Sequence, residues 1–106
     1  MPKYLVTGSY TTEGLRGLLK EGGTGRRKAV EDAVKHMGGH LEAYYFAFGD
    51  NDVVTIVDVP DNITAVTLAM GVASTGTVRT TTTVLLTPEE VDAATKKTLS
   101  FRAAGN

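Results

Sequence analysis

The clearest pattern of hydrophobic and polar positions lies in residues 41–59, where two strand-like, largely apolar runs flank a polar stretch. Both faces of each run carry apolar or aromatic groups, which indicates a sheet that is covered on both sides. Gly49 and Asp52 lie in the polar stretch, whose composition predicts a tight hairpin turn. Strict alternation places Glu42, Tyr44, Phe46 and Phe48 on one face of the first strand and Leu41, Ala43, Tyr45 and Ala47 on the other.

The rest of the chain alternates between strand-like and helix-like patterns. Residues 3–9 and 77–86 are rich in β-forming side chains and predict the first and last strands. Helical spacing of apolar side chains predicts three helices, over residues 13–20, 26–37 and 63–74. The third helix has few polar side chains, so we expect it to be largely buried. Thr87, followed by Pro88 and two glutamates, predicts the start of a short helix that ends near residue 98.

The order strand, helix, strand, strand, helix, strand is the split βαβ pattern. It predicts an α+β, ferredoxin-like fold, in which a βαββαβ antiparallel sheet carries its helices on one face. Because the strands are apolar on both faces, we expect the open face to be buried by a second copy of the chain, in a homodimeric α/β barrel or a higher oligomer. The 106 residues suit one domain, residues 1–106, with a loosely held tail at 99–106.

Composition narrows the classes of function. The chain has 11 basic and 12 acidic residues, so no strong overall charge favours nucleic acid or an anionic membrane as a partner. It has no cysteine, which excludes disulfides and thiolate chemistry. No signal-like or membrane-spanning apolar run is evident, so we expect a cytoplasmic protein.

A ligand pocket would form most naturally between the sheet and its helices. The candidate pocket residues are Arg16, His36, Tyr44, Tyr45 and Arg79. A tyrosine can pack through its ring while its hydroxyl binds a ligand. Tyr44 and Tyr45 point to opposite faces, so at most one lines the pocket and the other belongs to the subunit interface. His36 could serve as an acid, a base or a ligand, but a position on the helix surface is the favoured interpretation.

Arg79 is a charged residue in a strand that we expect to be covered on both faces, so it needs a carboxylate or a ligand as its partner. Glu42 or Asp58 is the internal alternative to an anionic ligand. Asp52 stands at a turn, where a carboxylate commonly accepts hydrogen bonds from backbone amides. A structural role in the turn is therefore favoured over a role as general base.

A metal site is not expected. His36 and His40 are four residues apart, but Gly38 and Gly39 end the helix between them, so the two imidazoles do not form a helical metal-binding pair. No third ligand is evident. No motif indicates a cofactor, and none is expected.

Short motifs along residues 4–94 carry a family resemblance. They are Tyr10-Thr11, Gly14-Leu15-Arg16-Gly17-Leu18, Gly22-Gly23, Arg26-Arg27, Gly38-Gly39, the turn at 49–52, Pro60-Asp61, Gly76, Val78-Arg79 and Leu86-Thr87-Pro88-Glu89-Glu90. In these motifs the chain resembles the GYD-domain family, small proteins of the dimeric α/β-barrel group. Asn51 stands where that family usually has a tyrosine. The resemblance implies the ferredoxin-like fold and the dimer. Related barrels include monooxygenases, isomerases and haem-handling proteins, so it implies no single activity.

Two functions remain open at this point, and the sequence does not decide whether the protein is an enzyme. The first is binding of a small, partly apolar organic molecule in a pocket of each protomer, with any chemistry being independent of a cofactor. The alternative is a non-catalytic oligomerisation or interaction module without a pocket. In that alternative, Met37, Tyr45 and Met70 would fill the interior and Arg79 would be paired internally.

Overall fold

The chain folds into one four-stranded sheet and four helices, and the computed structural model describes all 106 residues. In chain order the elements are β1 (Lys3–Tyr10), α1 (Thr12–Glu21), α2 (Gly23–His36), β2 (His40–Phe46), β3 (Val53–Asp58), α3 (Asn62–Ala73), β4 (Val78–Leu85) and α4 (Pro88–Thr95). The strand order is β2-β3-β1-β4, and every neighbouring pair is antiparallel. This arrangement confirms the predicted α+β, ferredoxin-like class.

A single residue, Gly22, separates α1 from α2. Its φ of 84° lies in the left-handed region that favours glycine, and its N–H donates to the Leu18 carbonyl at 2.7 Å. The sequence predicted a longer break and a second helix that begins at Arg26. Instead α2 begins at Gly23, where a Cβ would come within 2.9 Å of the Phe46 ring. The short break places Arg26 in the first turn of α2, above the sheet.

An irregularity in β2 changes which side chains share a face. The register shifts between Leu41 and Ala43, so that Glu42 is an extra residue in the strand. A bulge of this kind reverses the alternation, because two residues of one strand oppose one residue of its partner. Leu41 therefore lies on the helix-covered face with Tyr44 and is buried. The predicted alternation, which put Leu41 opposite to Tyr44, was wrong for this reason.

Residues 47–52 connect β2 to β3 in a loop that is longer than the predicted tight turn. The loop is tied to the end of β1. The Asp52 N–H donates to the Gly8 carbonyl at 2.7 Å, and the Asp52 carboxylate accepts from the Tyr10 N–H at 2.7 Å. Within the loop, Gly49 has a φ of 97°. Asp52 thus joins the loop to the strand that carries Tyr10.

The core lies between the sheet and the helices. Tyr4 of β1, Val34 of α2 and Val59 after β3 are almost completely buried. The Tyr4 hydroxyl donates to the Asn62 Oδ1 at 2.5 Å, which satisfies this buried polar group and connects β1 to the start of α3.

Helix α3 is less buried than its composition predicted. Only Ala65 of this helix is buried, whereas Ile63, Val66 and Met70 are exposed. The expectation of a largely buried helix was wrong, because the sheet covers only one side of α3. The other side is an apolar surface, the α3 flank, formed by these three exposed residues.

Helix α4 begins with the predicted cap. The Thr87 hydroxyl accepts from the Glu90 N–H, and the Glu90 carboxylate accepts from the Thr87 N–H, which forms a capping box. Every residue from Pro88 to Asn106 is exposed. The radius of gyration is 17.0 Å, against about 13 Å for a globular domain of this length, because the C-terminal segment extends away from the sheet.

Candidate ligand-binding site

A cavity that is partly open to solvent lies between the two central strands and the helices above them. Helix α2 packs mainly over β2, and α3 packs mainly over β4. The middle of the sheet, formed by β1 and β3, is therefore left beneath the gap between the two helices. The volume of this cavity is about 180 Å³.

The cavity wall is largely apolar, since 14 of its 20 lining residues are hydrophobic. Small side chains on the helices, such as Ala33 and Ala69, keep the gap between α2 and α3 open. The lining consists of Val6, Thr7, Gly8, Tyr10, Arg26, Ala29, Val30, Ala33, Val34, Tyr44, Val53, Thr55, Val57, Ala65, Leu68, Ala69, Val72, Val78, Thr80 and Thr82. Such a wall favours a ligand with a mainly apolar surface.

Polar side chains are concentrated where β1, β2 and the first turn of α2 meet. Tyr10, Arg26 and Tyr44 all contribute to the cavity wall there, and we call these three residues the polar end. The Arg26 guanidinium forms an ion pair with Glu21 at 3.3 Å. Burial alone would lower the pKa of Arg26, but the hydrogen bond and the charge of Glu21 raise it. Arg26 therefore stays charged, with a carboxylate already beside it.

Tyr44 is half-buried at the polar end. Its ring packs edge-to-face on Phe46, with the ring centroids 5.4 Å apart and the planes at 78°. Burial raises the pKa of Tyr44, and the neighbouring Tyr10 hydroxyl raises it further. At neutral pH the Tyr44 hydroxyl is therefore protonated and can donate a hydrogen bond to a ligand.

Four threonines, Thr7, Thr55, Thr80 and Thr82, contribute to the sheet side of the cavity wall. Thr55 is buried, and its hydroxyl donates to the Val6 carbonyl at 2.9 Å, so its proton is already used. Thr80 and Thr82 of β4 are also part of the wall. No buried side-chain nitrogen or oxygen lacks a hydrogen-bond partner, so the deepest part of the cavity presents no unsatisfied polar group to a ligand.

The structure brings only one of the five sequence-predicted pocket residues into this cavity. Tyr44 is part of the wall, whereas Arg16 and His36 are exposed on α1 and α2 outside it. Tyr45 is 70% exposed on the opposite face of the sheet and borders a more open depression near the start of α2. Arg79 is exposed on that same opposite face and forms no ion pair. Glu42 and Asp58, which the sequence offered as its partners, each form an ion pair with Lys3 at 2.9 Å instead.

Sequence reasoning missed Tyr10 and Arg26 as site residues. Tyr10 alternates with Tyr4 and Val6 on β1, and this spacing already placed it on the face that the helices cover. Arg26 belongs to a basic cluster at a helix start, a pattern that ordinarily indicates a solvent-exposed face. Its place in the wall depends on the single-residue break at Gly22, which the residue pattern does not reveal.

Two further observations concern metal ligands and the length of the helices. No group of three or more His, Cys, Asp or Glu side chains is placed so that it could hold a metal ion. None of the helices combines the length and the apolar character that crossing a bilayer requires.

The fold and the cavity together define a small α+β protein with an apolar chamber between an antiparallel sheet and two helices. Residues 4–95 match the model of the GYD domain, and the chain therefore belongs to the GYD domain family. The match extends from β1 to the end of α4, and it confirms the resemblance seen in the sequence motifs. No curated protein and no solved structure matched the chain.

Proposed function

We propose that the protein binds a small, largely apolar organic molecule in the cavity between the sheet and the helices. The observation that supports this function is the cavity itself, about 180 Å³ in volume and mainly apolar, with polar side chains at one end. Binding pockets commonly combine an apolar wall with a few polar groups that orient the ligand. The hydroxyl of Tyr44, in the cavity wall, can donate a hydrogen bond to a ligand oxygen.

Filling the cavity tests this proposal. Ala69 lies on α3 in the cavity wall, and Ala69→Leu adds three carbons that would occupy the ligand space. We expect the variant to be at least as stable as the wild type, because it fills a void, and to lose ligand binding. Ala73→Leu on the same helix is the matched control, since Ala73 is exposed and outside the wall.

A thermal-shift screen of small aromatic and aliphatic compounds provides the measurement. A ligand at 100 times its Kd stabilises the folded state by about 2.7 kcal/mol. The wild type and Ala73→Leu should show this stabilisation with the same compounds, and Ala69→Leu should not. The proposal fails if no compound stabilises the wild type, or if Ala69→Leu retains the full shift.

The open face of the sheet is the surface that we propose to be covered by a second copy of the chain. Its apolar side chains are half-exposed in the single chain: Leu5, Val54 and Ile56 lie in the middle, and Leu85 lies beside Lys3 at one end. Charged side chains lie at its two ends, with Lys3 at one and Arg79 at the other. An apolar centre with polar ends is the usual anatomy of an interface between subunits.

The exposed apolar surfaces also favour a second candidate function, an interaction module. The α3 flank exposes Ile63 by 76%, Val66 by 48% and Met70 by 61%. Neighbouring exposed apolar side chains of this kind often mark a protein-binding surface. This candidate predicts that replacing Met70 with Glu abolishes association with a partner protein and leaves the thermal shifts with small ligands unchanged.

A further inference from the structure

The polar end of the cavity restricts which ligands the site can accept. Tyr10 and Tyr44 present phenol groups on the wall, and Arg26 presents the only positive charge there. The wall contains no acidic side chain. The chemistry of these three residues therefore decides whether the ligand carries a negative charge, a neutral polar atom or neither.

The charge at the polar end is already balanced. Glu21 lies 3.3 Å from the Arg26 guanidinium and neutralises it from outside the cavity wall. An anionic ligand at Arg26 would also approach this carboxylate, and its charge would have to leave water for a mainly apolar chamber. A neutral oxygen avoids both costs, because it can accept a hydrogen bond from a protonated phenol.

The volume of the cavity sets the size of the ligand. The value of about 180 Å³ is slightly larger than an engineered cavity of about 150 Å³, lined by aliphatic and aromatic side chains, that binds benzene. A single ring with one or two small substituents matches this space.

On the proposed function of ligand binding, we infer that the cavity takes a neutral single-ring compound with one hydroxyl or carbonyl oxygen. The ring lies against the apolar wall formed by Val6, Val30 and Leu68. The oxygen lies at the polar end, where Tyr44 and Tyr10 are the hydrogen-bonding groups.

Three probes of similar size separate the contributions that apolar contact, a neutral hydroxyl and a negative charge make to binding. Toluene is apolar, p-cresol adds one neutral hydroxyl, and benzoate carries a negative charge at neutral pH. Their affinities are measured by calorimetric or NMR titration of the intact protein. We expect p-cresol to bind about 5-fold more tightly than toluene, which corresponds to one net hydrogen bond, and benzoate to bind most weakly.

Tyr44→Phe removes the hydroxyl and retains the ring. We expect this variant to weaken p-cresol binding about 5-fold and to leave toluene binding within about 2-fold of the wild type. Tyr45→Phe is the matched control, because Tyr45 is the adjacent residue on the opposite face of the sheet, and it should change neither affinity.

The outcomes separate a failure of this inference from a failure of the proposed function on which it rests. If toluene binds but p-cresol gains nothing, or if Tyr44→Phe weakens both equally, the inference about the oxygen is wrong and cavity binding stands. If benzoate binds most tightly, Arg26 is a carboxylate site and the inference is overturned. If none of the three probes binds, both the inference and the proposed function fail.

Discussion

Replacing Gly14 with alanine is expected to destabilise the protein by about 2–4 kcal/mol, because the added methyl group overlaps the backbone of the opposite segment. A Cβ on Gly14 would lie 1.8 Å from the Thr77 carbonyl oxygen and 2.9 Å from the Tyr10 ring. Neither the Thr77 carbonyl nor the Tyr10 ring is the flexible end of a side chain that could move aside. At this position the start of α1 packs directly on the segment that leads into β4.

The hydrogen bonds around Gly14 show why the helix cannot simply move away. The Thr11 N–H donates to the Thr77 carbonyl at 3.0 Å, and the Thr11 hydroxyl donates to the Gly76 carbonyl at 2.8 Å. The same hydroxyl accepts from the Gly14 N–H at 3.2 Å as the cap of α1. Displacing the helix by the required distance would break these bonds, each of which contributes about 1 kcal/mol.

Gly17→Ala is the matched control for Gly14→Ala. Gly17 lies on the same helix, and a Cβ there meets no atom within 4 Å. Because alanine is the better helix former, this variant should be more stable than the wild type by about 0.5–1 kcal/mol. Chemical denaturation of both variants measures the difference. Equal effects of the two substitutions would show that α1 does not pack against Thr77 as described.

Replacing Ile56 with aspartate is expected to convert a dimer into monomers. Ile56 lies in the middle of the open face, paired with Leu5 of β1 on one side and with Ala43 of β2 on the other. If a second copy covers this face, the substitution buries an unpaired carboxylate in each subunit. The cost should exceed about 3 kcal/mol, which raises the dimer Kd more than about 100-fold.

Analytical ultracentrifugation of the wild type and two variants measures this effect. Leu19→Asp is the matched control, because it introduces the same charge at an apolar residue that is 79% exposed on α1. The wild type and Leu19→Asp should sediment as dimers at micromolar concentration, and Ile56→Asp as a monomer. A monomeric wild type, or a dimer that survives Ile56→Asp, would contradict the proposed dimer.

Much of the fold could be predicted because its signals are local. The capping box at Thr87 and the β-branched residues of β4 each depend on neighbouring residues, and the structure has both elements where the pattern indicated them. The βαββαβ order then determined the class of fold. Burial was harder to predict, since α3 is apolar on several sides and only its packing decides which side is covered.

The candidate site was harder to predict because it depends on small departures from regular geometry. The bulge at Glu42 decides which side chains of β2 share a face with Tyr44, and alternation alone cannot reveal it. The break at Gly22 decides where α2 begins and hence where Arg26 points. Tyr10 and Arg26 are far apart in sequence, so their convergence on one cavity is a property of the folded chain.

The most direct test of the proposed ligand site is an NMR titration that follows methyl groups on both faces of the sheet. Val6, Val30 and Leu68 report on the cavity, while Leu5, Val54 and Ile56 report on the opposite face. With p-cresol as the probe, we expect saturable shifts at the first three methyl-bearing residues and none at the second three. Shifts confined to the opposite face, or no saturable shift at any of these methyl groups, would contradict a ligand-binding cavity between the sheet and the helices.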